Sequence, residues 1–120
     1  MKILLVLITF ASFYHSKFEG RKTANGETFS NSNLTAAYNH VPLGSILEVI
    51  NIKNNKSVIV VVNDRCRINS RIDLTKKAFA SIADLKSGII KVKIIKKNDN
   101  YNNNIKYIEH INFKFNFSTF

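Results

Sequence analysis

The sequence lacks the residues on which several common kinds of protein depend. Its single cysteine, Cys66, excludes an intramolecular disulfide and a cysteine-rich zinc site. No segment approaches the roughly 18 consecutive apolar residues of a membrane-spanning helix. Acidic residues are scarce, with 8 Asp and Glu against 18 Lys and Arg. We therefore predict no metal site, no cofactor and no membrane span.

The shortage of acidic residues gives a formal net charge of +10, which suggests an anionic partner such as nucleic acid, a membrane surface or an acidic polymer. Dedicated nucleic-acid readers use Arg for bidentate contacts. The heavy use of Asn, Ile, Lys and Phe is also what an AT-rich coding sequence produces by itself. We interpret most of the charge as compositional drift and predict no nucleic-acid partner, because only four basic residues are Arg: Arg21, Arg65, Arg67 and Arg71.

The two ends of the chain differ in composition from its middle. Residues 1–10 carry one basic residue and then an apolar run, which predicts a short secretory signal; the alternative is that they form the start of a first strand. No cysteine stands nearby, so a lipobox is not supported. Residues 98–120 begin as an Asn-rich linker and continue as an appendage in which Phe alternates with polar residues. The remaining 11–97 are the size of one domain.

A run of five β-branched apolar residues, 58–62, ends at Asn63, Asp64 and Arg65. Such a run predicts a strand buried on both faces. A strand of this kind would deliver the Asp64 carboxylate on a rigid support, as a catalytic group requires. The alternative is that Asp64 only ends the strand or caps a turn.

Short strand patterns recur around this run, with little helix between them. Thr75 predicts an N-cap for a helix that continues to about residue 85, with Ala78, Phe79, Ile82 and Ala83 on one face. The remaining pattern predicts a small closed all-β fold with one or two short helices. The other predicted elements are 34–38, 46–52, a hairpin turn at 53–56, and 89–95.

Six short motifs in series resemble the rare lipoprotein A family of bacterial envelope proteins. The resemblance implies a six-stranded double-psi β-barrel over residues 11–97. It also implies endolytic peptidoglycan transglycosylase activity on glycan strands stripped of stem peptides. The motifs are Ala11-Ser-Phe-Tyr14, Phe18-Glu-Gly-Arg-Lys-Thr-Ala-Asn-Gly-Glu27, Leu34-Thr-Ala-Ala37, Val41-Pro-Leu-Gly44, Val62-Asn-Asp-Arg65 and Arg71-Ile-Asp-Leu-Thr75.

Carried over position by position, the resemblance implies catalytic roles for Asp64 and Glu27. Tyr38 stands where the family has His, and His40 would share its face if the segment is extended. The usual Gly-Pro-Phe after Asn-Asp-Arg is replaced by Cys66-Arg67-Ile68. The predicted substrate-binding residues are Tyr38, His40, Asn63 and Arg65.

A lytic transglycosylase needs one acid that protonates the leaving oxygen and then accepts the C6 hydroxyl proton, giving an anhydro-muramyl product. We predict Asp64 in this role, with Glu27 orienting substrate, and Asp73 as a second candidate that is expected to be buried among backbone amides. The alternative is a non-catalytic, expansin-like glycan-binding barrel. In either case the resemblance implies a monomer that is secreted to the periplasm or cell envelope and contacts peptidoglycan glycan strands.

Overall fold

The computed structural model describes residues 6–97 and folds them as a closed barrel of six strands in the order β1-β5-β2-β4-β3-β6. One α-helix and two 3₁₀ turns join the strands. No helix in the described range is long and apolar enough to cross a membrane. The strands are β1 (Val6–Phe13), β2 (Thr35–Ala37), β3 (Ile46–Asn51), β4 (Ser57–Asp64), β5 (Arg71–Leu74) and β6 (Ile90–Lys96); α1 is Lys76–Ala80, and the 3₁₀ turns are Ser16–Phe18 and Leu85–Ser87.

Two of the six strand pairings are parallel and four are antiparallel. β1 pairs with β5 in parallel, and β2 pairs with β4 in parallel. The other pairings are β1–β6, β2–β5, β3–β4 and β3–β6. Because every strand has two neighbours, the barrel has no open edge within the described residues. The prediction of a small closed all-β fold with short helices is confirmed.

Residues 6–10, for which the sequence left two readings open, form most of β1. Val6 pairs with Ile95, and the antiparallel pairing with β6 continues to Ala11, opposite Ile90. The first strand therefore begins five residues before the predicted barrel start at residue 11. The predicted appendage, residues 98–120, lies outside the described residues.

The β4 strand is buried on one face and not on both, which corrects the prediction. Val58, Val60 and Val62 point into the barrel and are at most 8% exposed, whereas Val61 is 36% exposed. β4 has a parallel neighbour and an antiparallel one, and its outer face is left open. The five-residue run of Val and Ile therefore does not by itself indicate a fully covered strand.

The helix after β5 is shorter than predicted. It begins where expected, because the Thr75 hydroxyl accepts from the amide of Ala78 as an N-cap. It ends at Ala80 because the amide of Ile82 bonds the carbonyl of Phe79 and the Ser81 hydroxyl occupies that of Ala78. Phe79 and Ile82 are still fully buried in the core, so the predicted apolar face is retained.

Candidate active site

Four residues on four neighbouring strands lie in one row of paired Cα positions. Ser12 on β1 faces Asp73 on β5, Asp73 faces Ala37 on β2, and Ala37 faces Asp64 on β4. The row places two carboxylates on either side of the smallest of the four side chains. The Cα atoms of Asp64 and Asp73 are two strand spacings apart, or about 10 Å. We call this set the carboxylate row.

A β-bulge turns Asp64 toward the row. Ala36 pairs with Val62 but Ala37 pairs with Asp64, so Asn63 is the extra residue. In a regular strand Asp64 would share the face of Val62, which points into the core. The bulge moves Asp64 to the face of Ala37 outside the core, and bulges commonly re-aim a side chain in this way.

The carboxylate row lies in a groove of about 600 Å³. Its lining combines the end of β1, the 3₁₀ turn that follows, the end of β4 and the loop from β4 to β5. A small cluster of buried side chains, separate from the barrel core, packs around the groove and consists of Tyr14, Phe29, Ala37 and Cys66.

Asp64 accepts three hydrogen bonds. The Tyr14 hydroxyl donates to Oδ2 at 2.7 Å, and the backbone amides of Ala24 and Arg65 each donate to Oδ1 at 2.9 Å. Burial raises the pKa of Tyr14, and the hydrogen bond to Asp64 raises it further. Tyr14 therefore keeps its proton at neutral pH, and its ring is held by Phe29 at a centroid distance of 4.2 Å.

Asp73 is half-buried in the same groove, and its partners are side chains. The Ser12 hydroxyl donates to Oδ1, and the Cys66 thiol lies 3.4 Å from Oδ2. The expectation that Asp73 would be buried among backbone amides is therefore wrong. Burial is the main reason why the pKa of Cys66 is raised, and the neighbouring Asp73 acts in the same direction. The thiol is thus a proton donor to Asp73.

Tyr38 does not lie in the groove. Its side chain is 2% exposed and packs in the barrel core. With His40, whose ring centroid is 5.2 Å away, it lines a separate cavity of about 480 Å³. Burial raises the pKa of Tyr38. The placement does not fit the predicted substrate contact, because so little of the ring reaches the surface.

Hydrogen bonds join the segment 38–41 to the loop 65–69. Arg65 Nη1 donates to the carbonyls of Tyr38 at 2.6 Å and Val41 at 2.7 Å. Asn39 exchanges two hydrogen bonds with the backbone of Cys66, at 2.7 and 2.8 Å. His40 Nε2 lies 2.6 Å from the carbonyl of Asn69. The guanidinium of Arg65 and the ring of His40 therefore hold the groove loop in place.

Glu27 and Asn63 stand beside the groove but do not line it. Glu27 is exposed on a turn closed by the Lys22–Thr28 bridge, and its carboxylate accepts from the side-chain amide of Asn25. In the same turn, the backbone amide of Ala24 donates a hydrogen bond to Asp64. Asn63 is 4% exposed, and its Oδ1 has no hydrogen-bond partner within the described residues.

Among the groove residues that were not predicted as site residues, Ser12, Tyr14 and Cys66 are the ones whose side chains contact the two carboxylates. Ser12 and Tyr14 fall within the first motif of the resemblance, so the motif itself was the available signal. Within residues 6–97, no group of three or more His, Cys, Asp or Glu side chains is placed to hold a metal ion.

The topology and the carboxylate row define a double-psi β-barrel with an acid-bearing groove. Residues 9–94 match the family described as lytic transglycolase, and the chain belongs to that family. A relative from Rickettsia bellii, the endolytic peptidoglycan transglycosylase RlpA, is 47% identical over 90 residues, covering 71% of this chain and 40% of the relative.

Two further relatives differ in how much of each chain is matched. An uncharacterised protein of Synechocystis sp. is 43% identical over 84 residues, covering 70% of this chain and 91% of the relative. RlpA of Rickettsia felis is 42% identical over 112 residues, covering 88% of this chain and 47% of the relative. That share of this chain is more than 97 residues, so the match extends beyond Lys97. The chain spans less than half the length of both RlpA proteins.

Solved structures with the same fold are more distant in sequence. Streptomyces papain inhibitor has a TM-score of 0.66 at 24% identity, covering 78% of this chain and 96% of its own. An expansin of Clavibacter michiganensis has a TM-score of 0.63 at 22% identity, covering 79% of this chain and 52% of its own. A second structure of that expansin contains cellohexaose. These likenesses establish the double-psi barrel fold.

Proposed function

We propose that this protein is an endolytic peptidoglycan transglycosylase that cleaves β-1,4 bonds of peptide-free glycan strands to anhydro-muramyl products. The observation that supports it most directly is the carboxylate row, which puts two carboxylates into one groove on rigid strands. Sequence identity above 40% to proteins named for this activity supports the same reaction.

In the proposed mechanism Asp64 carries the proton. Its Oδ1 already accepts from two backbone amides, so the mobile proton belongs on Oδ2, beside the Tyr14 hydroxyl. Protonated Oδ2 donates to the leaving glycosidic oxygen as the bond to the anomeric carbon breaks. The C6 hydroxyl of the same muramyl residue then attacks that carbon and returns its proton to Oδ2. No water is consumed, and Asp64 ends in its starting state.

The other predicted site residues take different parts in this proposal. Tyr38, His40 and Arg65 act by holding the groove loop, because their contacts are with the core and with backbone carbonyls. Glu27 and Asn63 support the turn that sends the Ala24 amide to Asp64. Any contact that Glu27 makes with substrate would be to sugars that extend past the groove.

A second candidate function is glycan binding without cleavage, as in an expansin-like barrel. It is supported by Tyr38, which stands where the family has His and does not line the groove. The groove and its lining would be the same for both functions.

Digestion of purified peptide-free glycan strands, followed by mass spectrometry, separates the two. We expect products that end in anhydro-muramic acid and are lighter by one water than hydrolysed ends. Retention of the protein on the strands with no new ends would overturn the transglycosylase assignment and support the binding function.

The proposed substrate lies outside the cytoplasmic membrane, so we propose that the protein acts in the cell envelope.

If a leader peptide is removed, strand β1 restricts the positions at which it can be cleaved. Cleavage before Val6 leaves the strand whole, whereas cleavage after Phe10 removes all but one of its pairs with β6. N-terminal sequencing of the exported protein tests this.

A further inference from the structure

The groove that holds the carboxylate row is also lined by all four arginines of the chain. Asp64 and Asp73 are its only acidic lining residues among residues 6–97, and six cations accompany them. Two segments of the chain supply these cations: one follows β1, and the other runs from the loop after β4 to the first residue of β5. The six are Lys17, Arg21, Lys22, Arg65, Arg67 and Arg71.

Within residues 6–97, none of these cations forms an ion pair. In the described part of the chain the single salt bridge joins Lys97 to Glu48, away from the groove. Lys17 and Arg21 lie over the ring of Phe18, at 5.3 and 5.5 Å from its centroid.

Arg65 is bonded to backbone carbonyls. This leaves three groove cations whose side chains have no hydrogen bond, ion pair or aromatic-ring contact inside residues 6–97: Lys22, Arg67 and Arg71. Like charges gathered in one groove repel each other, and an anionic ligand relieves that repulsion.

The proposed substrate carries a matching anion. Muramic acid bears a lactyl ether whose carboxyl group forms the amide bond to the stem peptide. When the peptide is removed, the lactyl carboxylate becomes free. A peptide-free strand therefore has one carboxylate on every second sugar and neutral N-acetylglucosamine between them.

We propose that Lys22, Arg67 and Arg71 bind the lactyl carboxylates of the glycan strand and so select strands that have lost their peptides. This inference rests on the proposed function and adds the residues that recognise the substrate. Arg is suited to the task because its planar guanidinium matches a carboxylate in bidentate geometry. Arg71 is half-buried and lies two residues before Asp73 on β5, so of the three cations it is the one on a strand of the carboxylate row.

A polyphosphate such as DNA fits the same groove less well. Its charges are closely spaced along the backbone, so a phosphate would fall near Asp64 or Asp73 and be repelled. A strand that alternates charged and neutral sugars can put its lactyl groups on the cations while a neutral sugar passes the carboxylate row.

The test uses two substrates that differ only in charge. Peptide-free strands are compared with the same strands after carbodiimide coupling of methylamine to the lactyl carboxyls, which preserves the sugars and the length. Binding is measured by co-sedimentation, separately from cleavage. We expect the protein to bind the amidated strands about 10- to 90-fold more weakly, as expected for the loss of three partly exposed ion pairs. Added salt should weaken binding of the charged strands only.

Lys22→Gln/Arg67→Gln provides the matched change in the protein. Both side chains are exposed, so the barrel should remain folded. The control is Lys77→Gln/Lys86→Gln, which removes the same charge from exposed residues that do not line the groove. The groove variant should lose about 5- to 20-fold in binding to charged strands and nothing on amidated ones. The control variant should bind both like the parent.

The outcomes separate this inference from the proposed function. Charge-dependent binding without any anhydro product would leave the recognition site standing and overturn the enzymatic activity. Equal binding of charged and amidated strands would overturn the recognition site, whether or not cleavage occurs. A third outcome is that both strands bind weakly and DNA binds more tightly. If Lys22→Gln/Arg67→Gln then abolished the DNA binding, the groove would be a nucleic-acid site instead.

Discussion

Replacing Asp64 by Asn tests the proposed proton carrier while preserving the shape of the groove. The Asn carbonyl can still accept from the amides of Ala24 and Arg65, and its amide group can donate to the Tyr14 hydroxyl. The Tyr14 hydroxyl then accepts instead of donating, which its free rotation permits. The variant therefore keeps three contacts and loses the charge and the transferable proton.

The expected cost to stability is moderate and the cost to turnover is large. A hydrogen bond to a charged group contributes about 1.5–3 kcal/mol and a neutral one about 0.5–1.5 kcal/mol. Because Asp64 is half-buried, part of this difference is screened by solvent. We expect the free energy of unfolding to fall by about 1–2 kcal/mol and the melting temperature by roughly 4–16 °C. Turnover should fall by about 10²–10⁴-fold, the usual contribution of a positioned acid or base.

The assay is release of anhydro-muramyl ends from peptide-free strands, with thermal unfolding measured on the same samples. Asp84→Asn is the control, because exposed Asp84 caps a 3₁₀ turn by accepting from the Lys86 amide and Asn caps equally well. Parent-like turnover in Asp64→Asn would refute the assignment. Loss of turnover in Asp73→Asn but not in Asp64→Asn would assign the role of proton carrier to Asp73.

Four further predictions concern Cys66, Tyr38 and the end of the described chain. Cys66→Ser should keep turnover within about twofold, because Ser also donates to Asp73. In the parent, iodoacetamide should label Cys66 more slowly at neutral pH than it labels a peptide thiol, since the raised pKa keeps the Cys66 thiol protonated. The labelling rate of Cys66 should increase when the pH is made alkaline. Rapid labelling at pH 7 would contradict this prediction. Tyr38→His should change turnover little, because Tyr38 lies outside the groove, and a hundredfold gain would show that His acts in catalysis. Truncation after Lys97 should leave cooperative unfolding intact; a chain that fails to fold would place residues 98–120 in the core.

The sequence predicted the elements of the barrel better than their exposure. Residues 46–52 and 89–95 were expected as strands and appear as β3 and β6, because alternation and turn signals are local properties. The outer face of β4 is open, and no local pattern separates one-sided from two-sided burial in a run of Val and Ile. Helix α1 ends early because the Ser81 hydroxyl donates a hydrogen bond to the backbone carbonyl of Ala78 and so competes with a helical amide. The spacing of apolar residues gives no sign of such a side-chain hydrogen bond.

The site was predicted in part, for the same reason. The resemblance pointed to Asp64, which lies in the groove, and to Tyr38, which does not. Tyr38 follows directly after Ala37 of the carboxylate row, so position along the chain is a poor guide to which side of the barrel a residue faces. The bulge at Asn63 and the pairing of β1 with β5 join distant parts of the chain, and a single sequence does not display such pairings.

If the proposed activity is correct, its dependence on the carboxylate row means that measured cleavage reports whether the barrel is closed. Ser12 and Asp73 are 61 positions apart in the chain, and their hydrogen bond exists only when β1 has joined β5. A partly assembled chain therefore has no groove, and fraying of a surface loop leaves the row intact. A denaturation curve measured by glycan cleavage should superimpose on the curve measured by circular dichroism. No folded but inactive state should appear between the two transitions. Since contacts between remote segments form slowly, catalytic competence should be the last property that a refolding chain regains.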